Sequence, residues 1–150
     1  NSIGIEISNP GHEHGYKVFN NKQIKCLIKI SKNLIKKYKI NIKNILGHSD
    51  IAPLRKKDPG EKFPWKFIAS KKVGIWHKLN FKKCSKLRGK KIDIENKIFF
   101  KKLKKFGYFI DTSKKKELKK IICSFQRRFR PELIDGKIDL ECLEIVKTLI

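Results

Sequence analysis

GHSDIAPLRKKDPGEKFPW, residues 47–65, sets a histidine and, ten positions later, an aspartate at the two ends of a proline-stiffened basic run. What leads into it gives the first architectural clue. In SIGIEIS, residues 2–8, isoleucines 3, 5 and 7 alternate with Gly4 and Glu6, the period of a β-strand, so Glu6 faces away from the isoleucine side. NPGHEHGYKVF follows as a loop, broken by a Pro-Gly step and a further glycine. From Asn21 to Tyr38 apolar residues recur at three and four positions, the stripe of an amphipathic helix. NILG then reads as a short buried strand ending at Gly47. Strand, helix, strand predicts an α/β layer, whose functional groups gather just past the carboxyl ends of strands. His48 takes that position.

Catalytic zinc uses three protein ligands from His, Asp, Glu and Cys and leaves a position for water. A histidine at a strand end and an aspartate returning from a loop can meet at one metal if the loop between them is stiff. Pro53 and Pro59 restrict it. Arg55, Lys56 and Lys57 lie between, any of which could aim a cation at a developing oxyanion. On spacing alone, a solvated basic loop with Asp58 as a turn residue is the competing reading. An exposed strand glutamate is the competing reading of Glu6.

Composition sets looser limits. The chain has 150 residues, 39% of them hydrophobic, enough to bury a core in one domain or one domain with a small module. Its formal charge of +24 comes from 38 Lys plus Arg against 14 Asp plus Glu. Such a charge suits anionic partners, yet the cations are nearly all Lys and run from end to end beside abundant Ile and Asn, as in proteins encoded by AT-rich genomes. Phosphate readers favour the planar fork of Arg, and the stacking platforms of single-strand binders are missing, so no specific nucleic-acid partner is expected. Cys26, Cys84, Cys123 and Cys142 have no C-x-x-C spacing and read as buried thiols. No apolar run is long enough for a transmembrane helix, and no signal peptide is evident. The opening NSIGIEISNPG reads as the middle of a domain.

SIGIEI followed at a distance by GHSDIAPLRKKDPGEKFPW closely resembles the zinc-dependent N-acetylmuramoyl-L-alanine amidases of the peptidoglycan-recognition-protein superfamily. The likeness runs from about residue 1 to 79 and includes NPGHEHGY and the closing GIWHKL. It implies a mixed sheet with flanking helices, a Zn2+ cofactor, and a peptidoglycan or muropeptide substrate cut between N-acetylmuramic acid and L-alanine. His48 and Asp58 match the second and third zinc ligands, Glu6 the catalytic glutamate and Lys56 the catalytic lysine. The family's first zinc histidine, upstream of the glutamate segment, has no counterpart. His12 and His14 are the internal candidates to substitute, although NPGHEHGY matches a family loop that does not supply that ligand. His77 reads as a surface or packing histidine. These departures imply the carboxyl-terminal part of a longer amidase lacking its N-terminal portion, or a catalytically incomplete remnant that still binds the wall.

The second half has little strand character. Helical patterns cover residues 93–106, 113–130 and 139–150, with Ile122, Phe125 and Phe129 on one face, a stop at Pro131, a turn at Asp135-Gly136 and Asp139 as a cap. Three short helices imply a compact all-α module. SFQRRFRPELIDG resembles the peptidoglycan-binding domain-1 family. The expected organisation is residues 1–79 as amidase, 80–90 as linker and 91–150 as a wall-binding tether that raises the local substrate concentration. Such a module argues for the cell envelope or periplasm, with the cytoplasm as the alternative.

Overall fold

The helix expected at 21–38 forms as read: α1 spans Asn21–Tyr38 in the computed structural model, which describes residues 2–91, 96–111 and 113–150. Asn20 caps it, accepting from the Lys22 N–H at 2.8 Å while the Gln23 side chain accepts the Asn20 N–H at 3.0 Å. Gln23 also donates to the Ser8 carbonyl at 2.9 Å, tying the helix start to the segment before it. Asn20→Ala should therefore lower stability by about 1 kcal/mol, read as a lower urea midpoint at unchanged slope.

The mixed sheet is absent: among the described residues the chain is helical and carries no strand. Residues 2–10 run without hydrogen-bonded strand structure, and Ile3 and Ile5 are 52% and 41% exposed. Alternation supplies a face, but a strand also needs a neighbour to pair its N–H and C=O groups, and none lies alongside among these residues. The expected strand at NILG is likewise replaced, by a single 3-10 turn at Ile42–Asn44 and a non-helical step into Gly47.

Six further helices follow among the described residues: α2 His48–Ile51, α3 Trp65–Ser70, α4 Phe81–Leu87, α5 Asn96–Phe106, α6 Lys115–Phe129 and α7 Leu140–Leu149. The expected helix start at 93–95 lies outside the described residues. One apolar cluster gathers Phe19, Ile24, Phe63, Trp65, Ile68 and Val73, under α1 and α3. A larger one is built by α5, α6 and α7, where Phe99 meets Phe125 edge-on at 5.2 Å. Trp76 packs against both, so the two cores adjoin. α4 packs on α7, and Arg88 just beyond it grips Glu141 through two hydrogen bonds of 2.8 Å.

The FQ and DG of the second half are physically linked. Buried Gln126 donates to Asp135 Oδ1 at 3.0 Å and to the Lys137 carbonyl at 2.8 Å, and accepts the Gly136 N–H at 2.9 Å. Gly136 has φ +69°, the left-handed region that favours glycine. One amide thus holds the turn that sends the chain into α7, which Asp139 caps by accepting the Cys142 N–H at 2.9 Å.

Candidate active site

His48 opens α2 and Asp58 closes the loop after it. The loop is drawn shut at its base, where the Ser49 N–H donates to the Asp58 carbonyl at 2.9 Å. Gly47 lets this happen: a Cβ there would lie 2.5 Å from Pro59 Cδ and 3.2 Å from the Trp65 ring. Within the loop, the Arg55 and Lys56 N–H groups donate to the Ala52 carbonyl at 3.1 and 2.9 Å. The result is that His48 Nδ1 and Asp58 Oδ2 are in direct contact, on side chains about half exposed.

The NPGHEHGY loop holds the segment just past Asp58. Tyr16 donates its hydroxyl to the Pro59 carbonyl at 2.6 Å and accepts the Lys62 N–H at 2.9 Å. Burial pushes the Tyr16 phenol up to about 12, so it remains a donor at any physiological pH. Gly60, at φ +81°, leaves no room for a side chain, since a Cβ would come within 2.5 Å of that hydroxyl. His12 stacks on Tyr16 with centroids 4.3 Å apart and bonds Glu61 Oε2 at 3.1 Å. Burial opposes ionisation of Glu61, but the His12 hydrogen bond and the nearby Arg127 charge bring its pKa net below the usual value.

His12 is therefore engaged with Glu61, and His14 lies on an exposed turn. Among the described residues no third His, Cys, Asp or Glu joins His48 and Asp58 in a group able to hold a metal. Glu6 is exposed on the segment that was expected to be a strand, and Lys56 is exposed in the loop. His77 is partly buried beside Trp76, and burial lowers its pKa.

Asp50, two residues after His48, is the group the sequence reading passed over. It is buried, and its carboxylate accepts the Gly47 N–H at 2.8 Å, the Tyr108 hydroxyl at 2.7 Å and the Arg128 guanidinium. Arg128, also buried, donates to the Ile45 carbonyl at 3.0 Å and lies 4.2 Å over the Trp65 ring. Beside them, the Ser124 hydroxyl donates to the Ser49 carbonyl at 2.5 Å.

Comparison with known proteins gives this geometry its context. Residues 1–61 match the family model described as N-acetylmuramoyl-L-alanine amidase. N-acetylmuramoyl-L-alanine amidase AmiD of Escherichia coli is 34% identical over 158 aligned positions, covering 99% of this chain. The chain is homologous to N-acetylmuramoyl-L-alanine amidases. It spans 56% of AmiD, so about half of that relative's length has no counterpart here. A second relative, the 1,6-anhydro-N-acetylmuramyl-L-alanine amidase AmpD of Enterobacter cloacae, is 41% identical over 64 positions, covering 43% of this chain and 32% of AmpD. The complex of Escherichia coli AmiD with the substrate anhydro-N-acetylmuramic acid-L-Ala-D-gamma-Glu-L-Lys superposes at TM-score 0.78 with 31% identity, over 90% of this chain and 53% of that one. AmpDh3 of Pseudomonas aeruginosa gives 0.76 at 29% identity, over 90% of this chain and 54% of that one. The amidase likeness thus extends through the helices of the second half, beyond the segment that the family model matches.

Proposed function

We propose that the chain is part of an N-acetylmuramoyl-L-alanine amidase that hydrolyses the amide between N-acetylmuramic acid and L-alanine in peptidoglycan or muropeptides. The observation that carries this is the contact of His48 with Asp58 at the mouth of a loop drawn shut at its base, within the segment that matches the amidase family. An imidazole nitrogen and a carboxylate oxygen meeting at one point are donors of the kind zinc takes, and the pair is one donor short of a catalytic set among the described residues. Zinc, when bound, acidifies its water to a pKa of about 7. Glu6 is assigned to take the proton of the attacking water and pass it to the leaving nitrogen, and Lys56 to stabilise the developing oxyanion. Residues 1–79 are assigned to catalysis and 91–150 to wall binding, joined by 80–90, with the cell envelope as the working compartment. No helix among the described residues is long and apolar enough to cross a membrane.

The missing third donor favours a second reading, a remnant that binds the wall without cutting it. Zinc analysis and mass-spectrometric digestion of an anhydro-muropeptide separate the two. The enzyme reading expects stoichiometric zinc and release of the free stem peptide, both lost in His48→Ala and Asp58→Ala. Sedimentation with peptidoglycan, without zinc retention or hydrolysis, would establish the remnant instead.

A further inference from the structure

The helical second half does more to the site than tether it. α6 has two faces. Ile121, Ile122, Phe125 and Phe129 enter the larger core, whereas Lys120, Ser124, Arg127 and Arg128, spaced at four, seven and eight residues, turn toward residues 45–61. Lys120 donates to the Leu54 carbonyl at 3.2 Å, Ser124 to the Ser49 carbonyl, and Arg127 lies 4.0 Å from Glu61. Arg128 alone touches Ile45, Asp50 and Trp65, before and after His48 in the chain. Tyr108, between α5 and α6, adds its hydroxyl to Asp50.

We infer that Arg128, Tyr108 and Ser124 are positioning residues for the active site, acting through Asp50 and Ser49 to fix the turn of α2 that presents His48 to Asp58. The inference rests on the amidase reading for its functional meaning, though its geometry does not. A tether needs only a flexible joint and an exposed interface. Here a fully desolvated ion pair crosses between the halves, with side chains 1% and 3% exposed. Such a pair contributes little net stability, because desolvation offsets attraction, but separating its partners leaves an uncompensated buried charge, which opposes displacement of either one. Its carboxylate belongs to the helix that His48 begins. That same helix is bonded through the Ser49 N–H to the backbone of Asp58, so displacing α2 separates the two side chains that must converge.

The test is hydrogen exchange on the metal-free full chain, comparing wild type, Tyr108→Phe, Ser124→Ala and Arg128→Lys, with Lys147→Ala as a control in a partly exposed pair with Glu144 on α7. Tyr108→Phe and Ser124→Ala each remove a single hydroxyl, which keeps folded variants in hand should Arg128→Lys unfold. The expected result is exchange of the Ser49 amide faster by about tenfold or more, while amides in the middle of α6 keep wild-type protection, as local opening without global unfolding requires. On muropeptide, the same variants should lose kcat more than they raise KM. Wild-type protection of Ser49 in all folded variants would overturn the inference, as would loss of protection spread evenly over both halves. Because exchange needs no turnover, a chain that fails to hydrolyse muropeptide but shows the local loss would sink the amidase reading and leave the positioning role intact.

Discussion

Arg130→Met should lower the free energy of unfolding by about 3–5 kcal/mol, the usual cost of removing one partner from a buried ion-pair group. Arg130 is fully buried and pairs with Asp139, reaches Asp135 at 3.0 Å, and lies 3.7 Å from Glu141. Asp139 and Glu141 are themselves 5% and 1% exposed. Methionine fills the aliphatic volume but supplies no donor. Glu141 would keep its two bonds from Arg88, whereas among the described residues Asp139 would keep only the N–H groups of Gly89 and Cys142, both at 2.9 Å. The penalty comes from the stranded Asp139 charge rather than from a lost attraction, which gives a second arm. Arg130→Met combined with Asp139→Asn should recover part of the loss, since asparagine carries no charge and its Oδ1 still caps α7, although its amide nitrogen cannot accept the Gly89 N–H. Urea midpoints at constant slope measure both. A double variant as unstable as the single one would show that the stranded charge is not the cause.

Local patterns were legible in the sequence, and pairings across distance were not. The stripe of α1, the stop at Pro131 and the Asp139 cap follow from spacing over a turn or two, and each forms as read. The His48–Asp58 contact was approachable too, because ten residues stiffened by proline can be read as one loop. SIGIEIS misled because alternation is only half of a strand. Its partner is a property of another segment, and none pairs with it among the described residues. Asp50–Arg128 was out of reach for the same reason, at a separation of 78 residues. One signal was present. Only five of the 38 cations are Arg, and three of them fall at 127, 128 and 130. In a chain whose charge is overwhelmingly lysine on solvated faces, arginine at a few positions marks where a planar fork is needed. Arg88, Arg127, Arg128 and Arg130 all pair with carboxylates. The charge total concealed this, and the choice between the two cations carried it.

The second large effect concerns rate. On the amidase function proposed above, Lys56→Ala should reduce kcat for muropeptide hydrolysis by about 10²–10³-fold, or about 2.7–4 kcal/mol of barrier, the typical loss for one oxyanion donor. The KM should change little, because in that role the charge Lys56 would answer develops only as the amide is attacked. Stability should hold, since the side chain is exposed and the structural bond at this position, N–H to the Ala52 carbonyl, belongs to the backbone. Arg55→Ala and Lys57→Ala serve as controls: both are exposed cations of the same loop, so a merely electrostatic attraction for an acidic substrate would respond to all three alike and fade with salt. A role at the reacting carbonyl predicts one steep loss among three, insensitive to ionic strength, with zinc content unaltered. Equal, salt-sensitive decreases in the three variants would assign the loop to substrate attraction and remove Lys56 from the chemistry.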